Sequence, residues 1–330
     1  MKLYRDIFEN IIAPENLFLA WDTFKKGKRN KPDVARFEMN LEQHIFAIHH
    51  ELAHKSYHHG PYTAFYINDP KQRHIHKASV KDRIIHHAIY RVLAPLFDPM
   101  FIHTSYSCRI NKGHHAGVDA LYTTLRKVSR NNHLPCFALK CDIKKFFDSV
   151  DHWVLREIIA KKIADPDARW LIDEIIGSFA PGLPIGNLTS QLFANIYMNE
   201  LDQFAKHILH IPFYIRYTDD FIMVSNTQEQ LWKWLEDIRH YLDQRLHLAL
   251  HPRKVIMRKY IQGIDFLGYV QLPDHRVLRT KTKRRIFKKI RLGATEQVLQ
   301  SYLGVLSHAN SFVLSEKLKN EFWMHRVDKK

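Results

Sequence analysis

Asp219 and Asp220 stand side by side between two apolar runs, Tyr214-Ile215-Arg216-Tyr217 and Phe221-Ile222-Met223-Val224. Aromatic and β-branched residues dominate both flanks, so the pattern predicts a hairpin over 213–224 with Tyr217-Thr218-Asp219-Asp220 at its tip. Adjacent carboxylates repel, more strongly as apolar neighbours exclude water, so a cation is expected to offset them. Asp is also a favoured turn residue, and one acidic pair alone leaves a plain polar turn as good a reading. Asp142 changes that balance. It ends a second short apolar strand, over 137–143, inside Lys140-Cys141-Asp142-Ile143-Lys144-Lys145-Phe146-Phe147. Three carboxylates from two strands can hold two divalent cations about 3.5–4 Å apart. Mg²⁺ suits such a set because it is hard, prefers oxygen and completes its shell with substrate phosphates; Mn²⁺ is the expected substitute. One ion would lower the pKa of an attacking hydroxyl and the other would stabilise a leaving pyrophosphate, which is nucleotidyl transfer.

The rest of the chain alternates helix and strand. Val34, Phe37, Leu41, Ile45, Ile48 and Leu52 recur at spacings of three and four, which predicts one helix entered at Pro32-Asp33. A hairpin is predicted after Gly60-Pro61: one strand over 62–67, a turn at Asn68-Asp69-Pro70, and a return strand from Arg73. Helices are expected over 81–96 with a stop near Pro95, after Asp151 as a cap, over 168–178, over 188–209 and over 231–246. Residues 182–187 read as a loop and 264–270 as a strand. Strands and helices interleave without a regular βαβ period, so the expected class is α+β.

Composition narrows the partners. The chain has 330 residues, room for two or three modules, and a formal net charge of +16. Residues 251–330 hold 18 Lys and Arg against 6 Asp and Glu, so most of the excess lies in the last quarter. That points to a polyanion, nucleic acid before anionic membrane. Cys108, Cys136 and Cys141 form no CxxC pair, so a disulfide scaffold or zinc ribbon is not expected; they read as buried thiols in a reducing compartment. The adjacent histidine pairs lack a metal-binding companion motif and read as ordinary surface or core residues. The first residues carry no apolar signal-peptide core, and the uncharged stretch 177–199 is too polar to cross a membrane, so a cytoplasmic protein is expected.

Four stretches, in order, resemble the conserved boxes of reverse transcriptases. Tyr217-Thr218-Asp219-Asp220 resembles the YxDD box, and 137–150 resembles the first catalytic box, an acid followed five residues later by an aromatic. The run Gly182-Leu183-Pro184-Ile185-Gly186-Asn187-Leu188-Thr189-Ser190-Gln191 resembles the template- and nucleotide-positioning box, and Phe266-Leu267-Gly268-Tyr269 the primer-grip hairpin. The likeness runs over about 51–306. Most retroviral and intron enzymes carry Gln and Ser-Pro in the second of these boxes along the chain, where this chain has Ile185 and Ser190-Gln191. That variant resembles the reverse transcriptases of diversity-generating retroelements, whose copying is error-prone at template adenines. Such Ser-Gln boxes also occur in unassigned and defence-linked bacterial enzymes, so a retron, intron-like or phage-defence enzyme stays open. So, as rivals of other classes, do a non-catalytic RNA-binding scaffold and a two-metal nuclease.

The resemblance implies a right-hand polymerase: an N-terminal helical segment over 1–60, fingers with part of the palm over 61–135, palm over 136–270 with 177–199 reaching toward the fingers, and a basic helical thumb over 271–330. It implies metal binding by Asp142, Ile143, Asp219 and Asp220, with Lys254 placed to protonate the leaving pyrophosphate. Phe147 is the implied steric gate against a 2′-hydroxyl and Phe146 the core aromatic beside it. Lys71, Arg73, Ile185, Gly186 and Gln191 would contact the nucleotide. Lys81, Arg83, Ser190, Phe266, Leu267, Gly268, Tyr269, Lys281, Lys283, Arg284, Arg285 and Lys288 would contact template and primer. Eight of the 13 residues over 279–291 are Lys or Arg, and with Ile286 and Ile290 four apart they can form one amphipathic helix. The implied partners are a template RNA, its RNA–DNA duplex, dNTPs and an oligomeric accessory variability protein. Such a hand uses nearly all 330 residues, leaving no room for RNase H, integrase or an intron-type endonuclease.

Overall fold

The computed structural model describes residues 3–68 and 71–327. The turn expected at Asn68-Asp69-Pro70 therefore lies partly outside the described residues. The class is α+β: helices with three antiparallel sheets. The chain divides into two compact units, each assembled from three separate stretches.

The first unit takes 1–103, 143–210 and 237–251. Its centre is helix Val80–Phe97, packed against helices Pro14–Phe24 and Leu188–Gln203. Helix Leu188–Gln203 is buried nearly all round, as its uncharged sequence over 188–199 requires. Strands β1 (Thr63–Ile67) and β2 (Arg73–Lys77) pair antiparallel, Phe65 opposite Ile75, and β1 is exposed along its whole length. The N-terminal segment is tied to 162–165, by backbone bonds of Tyr4 and by the Asp165 carboxylate. Asp165 caps helix Pro166–Gly177, accepting from Asp167 and Ala168 N–H at 3.0 Å each, while its other oxygen accepts from Ile7 and Phe8 N–H at 2.7 and 2.8 Å.

The second unit takes 104–142, 211–236 and 252–330. Strands β3 (Phe137–Asp142), β4 (Tyr214–Tyr217), β5 (Asp220–Ser225) and β6 (Ile256–Lys259) form a sheet in the order β4-β5-β3-β6, every pair antiparallel. Helix His114–Val128 lies on β4 and β5, burying Val118, Leu121, Leu125 and Val128 at spacings of three and four. A second sheet holds β7 (Ile264–Phe266), β8 (Tyr269–Gln271) and β9 (Arg276–Leu278). Around Tyr269 and Leu278 packs a separate core drawn from helices Thr280–Arg291, Glu296–Leu306 and Phe312–Val327.

Several expectations change in detail. The single helix expected across 34–52 is two, Pro32–Met39 and Leu41–Ala53, because Asn40 leaves the helical region at φ −125°, ψ 47°. Helix Val80–Phe97 runs past Pro95, which lacks the N–H for one helical hydrogen bond and stands two residues before the helix ends. The α-helix expected to reach 209 ends at Gln203 and widens into a π turn over Phe204–Ile208. The strand expected over 264–270 folds back at Leu267 and Gly268, both with positive φ, into the hairpin β7–β8. Cys136 and Cys141 are buried, but Cys108 is exposed in a loop, where its φ of +54° marks a turn. Helix His114–Val128 and strands β6 and β9 add to the expected elements. Among the described residues no helix is long and apolar enough to cross a membrane.

Candidate active site

The hairpin β4–β5 and its neighbour β3 bring the three acids together. Tyr217 pairs with Asp220, so Thr218 and Asp219 form a two-residue turn; Asp142 lies directly opposite Asp220 across β3–β5. Directly opposed residues hold their Cβ atoms about 4.5–5.5 Å apart. All three belong to the second unit.

Two lysines meet them. Lys254 Nζ donates to Asp142 Oδ1 at 2.7 Å, and Lys140, two residues before Asp142 on the same strand face, places Nζ 3.6 Å from Asp220 Oδ1. That distance is too long for a hydrogen bond, and Asp220 Oδ1 is buried without one. Burial, then Asp220 and Asp142, push the Asp219 carboxyl up to about 6; burial and Asp142 also raise Asp220, against the pull of Lys140 and Lys254. Three acids against two lysines leave an anionic cluster with an unsatisfied oxygen. Among the described residues no three His, Cys, Asp or Glu side chains close around one point, Lys254 holding one Asp142 oxygen instead. The donor set nonetheless fits a hard divalent cation: all oxygen, anionic, with one buried acceptor free.

The turn that carries Asp219 is held from beneath. Thr218 sits at φ +54°, a left-handed conformation costly for a β-branched residue. Its Oγ1 donates to Ser107 Oγ at 2.6 Å, and its carbonyl accepts from Arg216 Nη1 at 3.0 Å. Arg216 is 0% exposed, and its Nη2 donates to Ser105 Oγ at 3.0 Å. The backbone of 104–106 runs beside β4: Arg216 N–H donates to Thr104 O and Tyr106 N–H to Arg216 O, each at 3.0 Å. Sequence reading missed Ser105, Ser107, Arg216 and Lys140. The available signal is a cation at one position of an apolar strand, in Tyr-Ile-Arg-Tyr and Ala-Leu-Lys-Cys.

The first unit gathers a second set. Phe147 lies in the short helix Phe146–Ser149, half-buried beside fully buried Phe146. Its carbonyl accepts from Leu183 N–H at 2.7 Å. The same loop meets β2: His76 N–H donates to Ile185 O at 3.0 Å, Asn187 Nδ2 donates to His76 O at 3.3 Å, and a Cβ on Gly186 would stand 2.9 Å from Ile75 Cγ2. Ser190 is buried and Gln191 exposed in the first turn of the helix that follows. Lys71 and Arg73 are exposed at the tip side of the hairpin. Lys81 and Arg83 are engaged within this unit, Lys81 Nζ with Glu51 at 2.8 Å and Arg83 Nη2 with Asp33 at 3.0 Å.

Of the remaining candidates, Phe266 and Tyr269 are core side chains, each 1% exposed, Tyr269 donating to Val305 O at 2.8 Å; only the Leu267-Gly268 turn between them faces outward in part. Along helix Thr280–Arg291, Ile286, Phe287 and Ile290 are buried, while Lys281, Lys283, Arg284 and Lys288 are exposed and Arg285 half-buried. Lys283, Arg284, Lys288, Arg291 and Lys317 line a basic groove of about 570 Å³.

Known proteins are similar along much of this chain. The group II intron-encoded protein LtrA of Lactococcus lactis subsp. cremoris is 23% identical over 410 aligned residues, covering 98% of this chain and 66% of that protein. Protein YkfC of Escherichia coli K12 is 24% identical over 251 residues, covering 62% of this chain and 63% of that protein. An uncharacterised 91 kDa protein of a Schizosaccharomyces pombe cob intron is 24% identical over 140 residues, 39% of this chain. The chain thus spans somewhat under two thirds of the length of LtrA and YkfC. The family described as reverse transcriptase (RNA-dependent DNA polymerase) matches residues 68–271, well over half the chain and all three acids. On that match, the protein belongs to the reverse transcriptase family.

Proposed function

We propose that this chain copies an RNA template into DNA from dNTPs, as a right-hand polymerase of the group II intron-like type. The observation that carries the reading is the opposition of Asp142 and Asp220 across β3–β5 with Asp219 on the adjoining turn. Reverse transcriptase domains generally use divalent metal ions. Asp142, Asp219 and Asp220, with Ile143, would hold them, Mg²⁺ being the ion that an all-oxygen set favours; bound there, such ions supply charge neutralisation at the attacking hydroxyl and the leaving pyrophosphate. Lys254 keeps an amine at Asp142, where it can donate a proton to the leaving group. Phe147 rejects the 2′-hydroxyl by volume. Lys71 and Arg73 contact the triphosphate, and the exposed cations of helix Thr280–Arg291 hold the duplex backbone without reading sequence. Asp219→Ala should abolish extension of a primed RNA while leaving the unfolding transition in place. Unchanged extension would sink the assignment, and degradation of the nucleic acid without dNTPs would favour a nuclease.

The finer reading is diversification: error-prone copying at template adenines, together with an oligomeric accessory protein. Ile185 and Ser190-Gln191, where most retroviral and intron reverse transcriptases carry Gln and Ser-Pro, support it. Ile185→Gln should lower misincorporation opposite adenine several-fold in sequenced products. An unaltered error spectrum would leave the plain intron-like reading, which the likeness to LtrA supports.

A further inference from the structure

We infer that Gly182, Leu183 and His152 position Phe147 and thereby set how strictly the enzyme selects deoxyribonucleotides. The inference rests on the reading of Phe147 as the sugar gate and extends it to the residues that hold the Phe147 backbone in place.

Phe147 stands in a helix of only four residues, Phe146–Ser149, entered through Lys145 at φ +46°. A single helical turn has too few internal bonds to fix its own geometry. The missing restraint comes from residues 35 to 36 positions away. Leu183 N–H donates to the Phe147 carbonyl at 2.7 Å. Gly182, at φ +75°, lies so close that a Cβ built on it would stand 2.7 Å from the Asp148 Cα and carbonyl carbon and closer still to the Phe147 oxygen. Real Cβ atoms essentially never approach within 3.0 Å, so any side chain at 182 displaces the Phe147 backbone or the loop. The loop is pinned in turn: His152 Nε2 lies 2.6 Å from the Gly182 carbonyl. A carbonyl only accepts, so Nε2 carries the hydrogen. His152 is the first residue of helix His152–Ala160, whose N-terminus Asp151 caps. The Phe147 ring meets buried Phe146 edge-on, centroids 5.4 Å apart, which leaves the half-buried ring one side to present.

A gate that works by volume is sensitive to small displacements, since it distinguishes sugars by a single oxygen. Its backbone anchor is therefore a specificity determinant. Glycine at 182 is required both for its conformation and for the space its absent side chain leaves.

The test compares dNTP with rNTP incorporation by the full chain on a primed RNA. The readout is the ratio of the two kcat/KM values, which does not depend on the fraction of enzyme folded. Phe147→Ala should lower that ratio by about a hundredfold and Gly182→Ala by about tenfold or more, with His152→Ala falling between Gly182→Ala and the parent. Gly182→Ala added to Phe147→Ala should lower it no further, because the residue it acts through is gone. If Phe147→Ala lowers the ratio while Gly182→Ala and His152→Ala leave it unchanged, the positioning role is refuted and the gate stands. If Phe147→Ala itself leaves the ratio unchanged, both fall. Should Gly182→Ala fail to fold, His152→Ala alone decides, since it leaves the glycine in place.

Discussion

Ser107 lies far from the acids in sequence, yet its removal should slow catalysis. Its Oγ receives the 2.6 Å bond from Thr218 Oγ1 that holds the Asp219 turn. A left-handed conformation costs a residue with a side chain about 1–2 kcal/mol. A neutral hydrogen bond contributes about 0.5–1.5 kcal/mol. The bond and the strain are thus of the same size, and Ser107→Ala removes much of what keeps Thr218 at φ +54°. If about 1 kcal/mol of that appears as misplacement of Asp219 in the transition state, the chemical step slows about fivefold. The assay is single-turnover extension of a primed RNA at saturating dNTP. Thr218→Gly supplies the control. Glycine adopts the conformation freely but has no hydroxyl, so Ser107→Ala in that background has no bond to residue 218 left to break, only contacts such as that of Ser107 Oγ with Cys108 Sγ at 3.4 Å, and should cost much less than in the parent. Full-rate extension by Ser107→Ala would refute the reasoning. So would an equal slowing in the Thr218→Gly background, which would place the effect of Ser107 elsewhere.

Two further outcomes concern the scaffold and the duplex. Asp165 is 6% exposed; burial pushes its carboxyl up, but four backbone N–H bonds outweigh that and hold it below the usual range. Asp165→Asn turns an amide toward two of those donors, and urea unfolding should show a loss of about 3 kcal/mol. Because the folded pKa is depressed, the wild-type advantage is complete above the unfolded value of about 3.9 and is lost as pH falls through the folded one; an advantage that persists unchanged at pH 2 would contradict this. Replacing Lys283, Arg284 and Lys288 with Gln should flatten the log–log salt dependence of duplex binding by about 0.7–0.9 for each phosphate that is no longer neutralised. An unchanged slope would move the duplex off that groove.

The acids were legible in the sequence because each sits beside a short run of apolar, aromatic and β-branched residues that marks a strand. Their mutual distance was not. Asp142 meets Asp220 only because β3 inserts between β5 and β6, strands from stretches far apart in the chain, and local patterning carries no register between distant strands. Lys140 was recoverable in part: once β3 is a strand, period two puts it on the face of Asp142. Arg216 signals a buried need by its charge in an apolar strand, but its partner Ser105 lies in a segment without periodicity, and nothing local marks it. Phe266 and Tyr269 show the converse. Their place in the run that resembles a primer grip implied contact with nucleic acid, and packing turned both inward.

Glycine and isoleucine in the 182–187 loop divide the problem more finely. A sequence shows that residue 182 has no side chain; only the fold shows that the space so left is filled by the backbone of Phe147. At 185 the situation is reversed. The bond that ties this residue to β2 is made by its carbonyl, accepting from His76, and any amino acid can supply it. The identity of the side chain is therefore not needed to join loop and hairpin, and Ile in place of Gln leaves that bond intact. Ile185→Gln consequently exchanges an apolar for a polar side chain on an unchanged backbone attachment. A shift in its error spectrum with its unfolding midpoint held would report on the side chain alone, whereas a shift accompanied by a lowered midpoint would report on the loop.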